Sequence, residues 1–136
     1  LRDHLPGDAE LWLDGGHNPA AGAALAMAMS ELEERVSRPL VLVVGMIGSK
    51  DAGGFLRAFA GLASRVVTLT IPGEENVLAA DELAAIAREA GMAAQEAESL
   101  EDALKQAGEG AVEPRILICG SLYLAGRVLA AHGEEP

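Results

Sequence analysis

The feature that most constrains the fold is the regular alternation of short apolar runs with longer segments of helix-forming residues. The run "PLVLVVGM" at 39–46 is continuous and rich in β-branched residues, which is typical of a strand buried on both faces of a sheet. The segment "PAAGAALAMAMSELEERV" at 19–36 has the length and composition of a helix. Repeated strand–helix units with short connections predict parallel strands joined by right-handed crossovers, with helices on both faces.

The alternation can be followed along the whole chain, and its 136 residues predict one domain. Strands are predicted at 10–14, 39–46, 64–71, 92–98 and 115–120, and helices at 19–36, 52–63, 79–91, 99–108 and 121–133. The strand at 92–98 is weak by itself and is assigned mainly because the alternation requires one. Gly91 is expected to end the third helix in a left-handed conformation.

Charge and composition exclude several classes of function. Ten basic residues against 21 acidic ones give a net charge of −11, which argues against nucleic-acid binding but leaves room for a small anion held by backbone N–H groups. The single cysteine, Cys119, excludes an internal disulfide, and its apolar surroundings indicate a buried, unreactive thiol. No apolar run approaches the length of about 20 residues that spans a bilayer, and no signal peptide is apparent. We therefore expect a cytoplasmic protein that does not bind membranes.

Ligands of an open parallel sheet bind outside the carboxyl ends of its strands. The first of the loops predicted there is "DGGHNP", in which Asp14 ends a strand and Asn18 suits a helix N-cap. Gly15 and Gly16 allow positive φ angles and a close approach of the backbone to a ligand. A strand-to-helix turn explains these features by itself, except that it leaves the roles of Asp14 and His17 open.

Two further loops at this edge are glycine-rich. In "GMIGSKD" at 45–51, Lys50 is either a phosphate contact or an exposed lysine before a helix cap, and the spacing fits neither a P-loop nor a dinucleotide-binding motif. In "CGSL" at 119–122, Gly120 forms the loop and Ser121 is suited to cap the last helix. A serine hydrolase is excluded, because there is no G-x-S-x-G motif and His17 precedes the serine.

Together these loops resemble those of a known family. "LWLDGGHNPAAGAAL" is similar to the D-G-A-H-N-P segment that opens the C-terminal domain of folylpolyglutamate and dihydrofolate synthases, and "ILICGSLYLAGRVL" is similar to the last strand and helix of that domain. "VVGMIGSKD" lies where the family has a loop ending in D-K-D. The three segments occur in the family's order over most of the chain. The family belongs with the Mur ligases, whose C-terminal domain is a Rossmann-like three-layer α/β domain with a mostly parallel sheet of five or six strands.

The resemblance implies that residues 1–136 are the C-terminal domain of an ATP-dependent ligase that adds L-glutamate to a folate or to dihydropteroate through an acyl phosphate. It implies that Asp14 and Lys50 contact ATP, and that His17 and Ser121 contact glutamate. The P-loop and the Mg²⁺ ligands would belong to an N-terminal domain outside this chain. The chain alone would then be inactive and the parent enzyme a monomer.

Two departures from the family pattern bear on these assignments. Gly16 stands where the family commonly has alanine, and "GSKD" replaces D-K-D, which removes an acidic contact. Two alternatives also stay open. One is a Mur-type ligase that adds an amino acid to a cell-wall precursor, and the other is a free-standing nucleotide-binding or interaction module without catalysis.

Overall fold

Strands and helices alternate throughout the part of the chain that the computed structural model describes, which comprises residues 9–48, 51–110, 112–121 and 124–128. The strands are β1 (Glu10–Leu13), β2 (Leu40–Val44), β3 (Ala63–Thr68), β4 (Ala94–Glu96) and β5 (Arg115–Cys119). The helices are α1 (Pro19–Arg35), α2 (Ala52–Arg57), α3 (Ala80–Glu89) and α4 (Leu100–Gly108). A last helical segment covers residues 124–128. All five predicted strands are confirmed, including the weak one at β4.

The five strands form one sheet in the order β1-β5-β2-β3-β4, and every strand pair in it is parallel. From β1 to β4 the chain advances across the sheet, and α1, α2 and α3 share one face. After β4 the direction reverses, so α4 crosses the other face and β5 enters between β1 and β2. With right-handed crossovers, this reversal is what puts helices on both faces.

The central strand β2 shows why the core has two layers. All five of its residues are buried, as the continuous apolar run predicts. Leu42 and Val44 pack under α1, α2 and α3, together with Phe55 and Phe59, whose rings contact each other at a tilt of 56°. Val41 and Val43 point to the other face, where α4 and the segment 124–128 cover them. The predicted helices on both faces of a parallel sheet are therefore confirmed.

The second helix is shorter than the sequence predicts. A helix was expected over 52–63, but α2 ends at Arg57 and turns fill residues 58–62. Successive turn bonds from Phe59 N–H to the Leu56 carbonyl and from Leu62 N–H to the Phe59 carbonyl replace the helical pattern, and Gly61 adopts a φ of +82°. Gly61 lies at the end of these turns, where it adopts the left-handed conformation without steric cost.

A buried arginine ties the amino ends of the strands together. Arg115, with 2% of its surface exposed, donates from Nε to Glu10 Oε1 at 2.9 Å and from a terminal nitrogen to the Val36 carbonyl at 3.0 Å. Burial acts to raise the pKa of Glu10, but hydrogen bonds from Arg115 and Trp12, with the charges of Arg115 and Arg38, lower it overall. This cluster lies at the edge opposite the predicted ligand-binding loops, so its role is to stabilise the fold.

Candidate functional site

The predicted ligand-binding loops meet at the carboxyl edge of the sheet because β5 lies between β1 and β2. Leu13 pairs with Ile118 on one side of β5, and Val44 pairs with Cys119 on the other. The backbone N–H of Asp14 donates to the Ile118 carbonyl at 2.9 Å and extends this ladder by one residue. The first and last loops are therefore neighbours, although about a hundred residues separate them in the chain.

Asp14 begins the first loop with an exposed carboxylate. Its Oδ1 accepts the Gly16 backbone N–H at 2.7 Å, which closes a turn of the kind that aspartate often makes. Within the described residues the other carboxylate oxygen accepts no hydrogen bond. Asp14 thus stabilises the turn with one oxygen and leaves the second without a hydrogen bond in the described structure.

A backbone hydrogen bond joins the first loop to the last. The Gly120 N–H donates to the Gly16 carbonyl at 3.0 Å. Gly120 has a φ of +101°, and a Cβ added there would lie only 2.7 Å from the Gly45 carbonyl oxygen in the second loop. Gly120, which was expected to form this loop, is therefore required for two reasons. Its backbone conformation favours glycine, and the three loops approach too closely to leave room for a side chain.

The two glycines of the first loop do not use the positive φ angles that glycine allows. Gly15 and Gly16 are absent from the glycines with positive φ, which in the described chain are Gly61, Gly73, Gly91, Gly110 and Gly120. Gly16 is instead constrained by packing, because an added Cβ would lie 2.9 Å from Ala21 Cβ and 3.1 Å from Asp14 Oδ1. The alanine that is common in the resembling family would need α1 to shift here.

His17 lies between the turn and the start of α1 and is partly exposed. Its Nδ1 is fully shielded from solvent and has no hydrogen-bond partner in the described structure. Since buried polar atoms are nearly always paired, this atom is unusual and its surroundings need an explanation. A strand-to-helix turn gives none, because neither the turn nor the cap uses the imidazole.

Helix α1 begins as predicted. Asn18 is the N-cap and accepts the Ala21 N–H at 2.8 Å through Oδ1, and Pro19 occupies the first helical position. No acidic side chain lies in the first turn, and the Ala20 N–H is without a partner in the part of the chain described. The partial positive charge at the start of this 17-residue helix therefore has no acidic partner within the helix itself and lies next to the loop of Asp14 and His17.

Ser121 follows Gly120 and is buried, with 3% of its surface exposed. Its Oγ accepts the Leu124 N–H at 3.2 Å, and its carbonyl accepts the Ala125 N–H at 3.0 Å. The predicted capping role is confirmed. The predicted contact of the same hydroxyl with glutamate stays a prediction.

The second loop is held by a contact that the sequence did not predict. Gly48 N–H donates to the Asn76 carbonyl at 2.6 Å and Leu78 N–H donates to the Met46 carbonyl at 3.0 Å, on either side of an antiparallel bridge between Ile47 and Val77. This arrangement uses the Gly48 amide internally, so that group is not available to a phosphate. Lys50 lies outside the described residues, whereas Asp51 caps α2 by accepting the Gly54 N–H at 2.8 Å.

Cys119 lies below the site at the end of β5. Burial raises the pKa of its thiol far above the usual value, and the nearby charge of Asp14 raises it further. A thiol that stays protonated is a poor nucleophile. The predicted unreactive role is therefore confirmed.

A groove of about 320 Å³ opens beside Asp14 on the outer side of β1. It lies between β1 and α1 because α1 covers the inner strands and leaves this face of the edge strand open. Trp12, with 40% of its surface exposed, forms one wall, and Leu25 and Leu32 of α1 contribute to the other. Sequence reasoning missed this groove, and the one signal that could have indicated it is Trp12, a large aromatic residue in the short apolar run before Asp14.

Within the described ranges, no group of three or more His, Cys, Asp or Glu side chains is arranged to hold a metal ion. None of the helices in those ranges is long and apolar enough to cross a membrane.

Comparison with protein families gives one match. The sequence model of the family described as "Mur ligase, glutamate ligase domain" matches residues 3–122. A search of curated proteins gave no match.

Comparison with solved structures identifies several ligases. A folylpolyglutamate synthase from Mycobacterium tuberculosis complexed with ADP is 29% identical with a TM-score of 0.76, over 93% of this chain and 30% of that chain. A bifunctional folylpolyglutamate synthase/dihydrofolate synthase from Yersinia pestis complexed with AMPPNP and Mn is 26% identical with a TM-score of 0.76, over 90% and 28%. A bifunctional synthase with Mn, AMPPNP and L-glutamate bound is 28% identical with a TM-score of 0.74, over 93% and 29%. The chain spans less than a third of the length of each.

Proposed function

The chain belongs to the Mur ligase family through its glutamate ligase domain, and from this premise we propose that it is the C-terminal part of an ATP-dependent ligase that adds L-glutamate to a folate or to dihydropteroate. The observation that carries the proposal is the hydrogen bond between Gly120 N–H and the Gly16 carbonyl. It joins the two loops that contain Asp14, His17 and Ser121, which supports their assignment to one site. The similarity to folate-dependent synthases, at 26–29% identity, favours this function over cell-wall synthesis and over a non-catalytic module.

The proposed reaction has two steps. A carboxylate oxygen of the folate or dihydropteroate attacks the γ-phosphorus of ATP, and ADP leaves. The amine of L-glutamate then attacks the acyl carbon, phosphate leaves, and the amine loses a proton as the amide forms. Mg²⁺ would neutralise charge on the phosphates during the first step. We assign its ligands and the P-loop to a preceding domain of a longer enzyme.

The role proposed for Asp14 is to accept a hydrogen bond from a ribose hydroxyl of ATP. Its free carboxylate oxygen is exposed at the end of β1, and the groove beside Trp12 gives a nucleoside room next to it. Lys50, in the following loop, is proposed to contact a phosphate. These contacts would form when this domain closes over the ATP-binding domain, which also excludes water from the acyl phosphate.

The role proposed for His17 and Ser121 is to bind the incoming glutamate. Both lie where a helix begins at the carboxyl edge, and the amide of Ala20 adds an unpaired donor at the start of α1. Helix N-termini favour anions because their N–H groups point outward and the helix dipole is positive there. Glutamate brings two carboxylates to such a site.

The test of the proposed function is an assay of the complete protein that contains this chain. It should be incubated with Mg-ATP, labelled L-glutamate and either tetrahydrofolate or dihydropteroate, and the products separated by chromatography. We expect glutamate to be incorporated into at least one pteroate-based acceptor with release of ADP. Incorporation of an amino acid only into a UDP-muramoyl acceptor, or no incorporation into any acceptor, would overturn the proposal.

Asp14→Asn tests the nucleotide contact in the same enzyme. The asparagine Oδ1 can still accept the Gly16 N–H and keep the turn, while the second oxygen becomes an amide donor. The loss of a charged acceptor should raise the Michaelis constant for ATP by about ten- to a hundredfold. An unchanged constant in both Asp14→Asn and Asp14→Ala would count against this assignment.

A further inference from the structure

The two ring nitrogens of His17 lie in different surroundings. Nδ1 is buried and lacks a hydrogen-bond partner in the described structure, whereas the residue as a whole is partly exposed. Asp14, the nearest acid along the chain, uses its Oδ1 for the Gly16 N–H and forms no hydrogen bond with the imidazole. The two nitrogens can therefore not serve equally as donors.

We infer that the His17 imidazole keeps Nδ1 unprotonated in the interior and donates a hydrogen bond to its ligand from Nε2–H. A neutral imidazole carries one N–H, and an imidazolium carries two. A proton on Nδ1 would create a buried N–H group without an acceptor. This group would lose its hydrogen bond to water and would form no hydrogen bond within the protein in its place. Unpaired buried N–H groups are rarer in proteins than under-satisfied acceptors, and an unpaired buried charge is costlier still.

This form determines which part of a ligand His17 recognises. An Nε2–H group binds an acceptor oxygen and does not accept a proton from an ammonium group at that nitrogen. If the proposed function holds, on which this step rests, His17 contacts a carboxylate of glutamate and not its amine. The imidazole then positions the substrate and is not the base that takes the proton of the attacking amine.

The proton position can be measured on this chain without any assay of activity. The protein should be labelled with ¹⁵N-histidine and studied at pH 8 by two-bond ¹H–¹⁵N correlation spectra, which distinguish protonated from unprotonated ring nitrogens. The chain has two other histidines, His4 and His132, so the His17→Gln variant identifies the His17 signals by their loss. We expect an unprotonated Nδ1 and a protonated Nε2. A protonated Nδ1, or the averaged tautomers of a free histidine, would overturn the inference.

The ligand contact is tested by amide substitutions in the complete ligase. The side-chain amide nitrogen of glutamine reaches about the position of Nε2, and that of asparagine reaches about the position of Nδ1. We expect His17→Asn and His17→Ala to raise the Michaelis constant for glutamate by about ten- to a hundredfold, and His17→Gln to stay within about threefold of wild type. Any other ranking would overturn the Nε2 contact.

These two experiments separate the inference from the proposed function. If the enzyme does not use glutamate, the kinetic ranking cannot hold, but the NMR result still decides the proton position. If the enzyme uses glutamate and Nδ1 carries the proton, the proposed function stands and the inference fails.

Discussion

Replacing Gly120 by alanine tests whether the close approach of three loops holds the site together. The substitution forces an L-residue to a φ of +101° and places its Cβ 2.7 Å from the Gly45 carbonyl oxygen. Gly91→Ala is a matched control, because Gly91 has a φ of +93° but an added Cβ would meet nothing within 4 Å. The two variants share the backbone strain and differ in the steric overlap.

The magnitudes follow from this difference. Left-handed backbone costs an L-residue about 1–2 kcal/mol, and inserting a methyl group into a tightly packed position costs about 1–3 kcal/mol more. We therefore expect Gly91→Ala to lower the free energy of unfolding by about 1–2 kcal/mol and Gly120→Ala by about 2–5 kcal/mol. An unfolding entropy of about 2.1 cal/mol/K per residue over 136 residues converts these values to losses in Tm of about 3–7 °C and about 7–18 °C.

Urea denaturation followed by circular dichroism measures both variants on this chain, and thermal scans give the Tm values. If the proposed function holds, Gly120→Ala in the full-length enzyme should also raise the Michaelis constant for glutamate, because Gly120 positions Ser121, whereas Gly91→Ala should leave it unchanged. Equal losses of stability in the two variants would refute the reasoning, since the overlap with the Gly45 carbonyl would then cost nothing.

Two further predictions concern charged groups away from the site. Because the folded-state pKa of Glu10 is lowered, its stabilising contribution is complete above the usual glutamate pKa of about 4.3 and disappears as the pH falls through the lower folded value. The difference in unfolding free energy between wild type and Glu10→Gln should thus be constant from pH 7 to about pH 5 and should shrink below pH 5. Urea titrations measure this difference, and an equal difference at pH 3 and pH 7 would contradict the prediction. Arg65 donates three hydrogen bonds of 2.8 Å to carbonyls at the C-terminal end of α4. Arg65→Met should lower the free energy of unfolding by about 1–3 kcal/mol. Arg65→Lys should recover only part of this loss, because an ammonium group lacks the planar fork of donors. Full recovery by lysine in the same denaturation assay would show that only the charge matters.

The sequence predicts the elements of this fold better than their arrangement. The apolar run of β2 and the Asn18 cap are local patterns, and both are confirmed. The insertion of β5 between β1 and β2 depends on where the chain reverses its direction across the sheet. The spacing of apolar residues within a single strand or helix contains no information about that point. The bridge between Ile47 and Val77 was missed for the same reason, since it pairs two loops that read only as turns.

The glycines show the same limit within the site. Gly16 and Gly120 both precede helices in polar loops and look alike in sequence. In the structure Gly16 is needed for its packing against Ala21, and Gly120 for a positive φ. The distinction depends on which atoms surround the missing Cβ, and those atoms come from distant parts of the chain.

The candidate site consists of the groups that the strand-to-helix turn leaves unused. Asp14 gives one oxygen to Gly16 and keeps the other, and the cap satisfies the Ala21 N–H but leaves that of Ala20. His17 takes part in neither the turn nor the cap, and only one of its nitrogens is turned into the interior. If the proposed function holds, folding and binding use different atoms of the same residues. Substitutions that change only the unused atoms, such as Asp14→Asn, should then reduce binding while the turn stays intact, so the structural role and the proposed binding role can be separated one atom at a time.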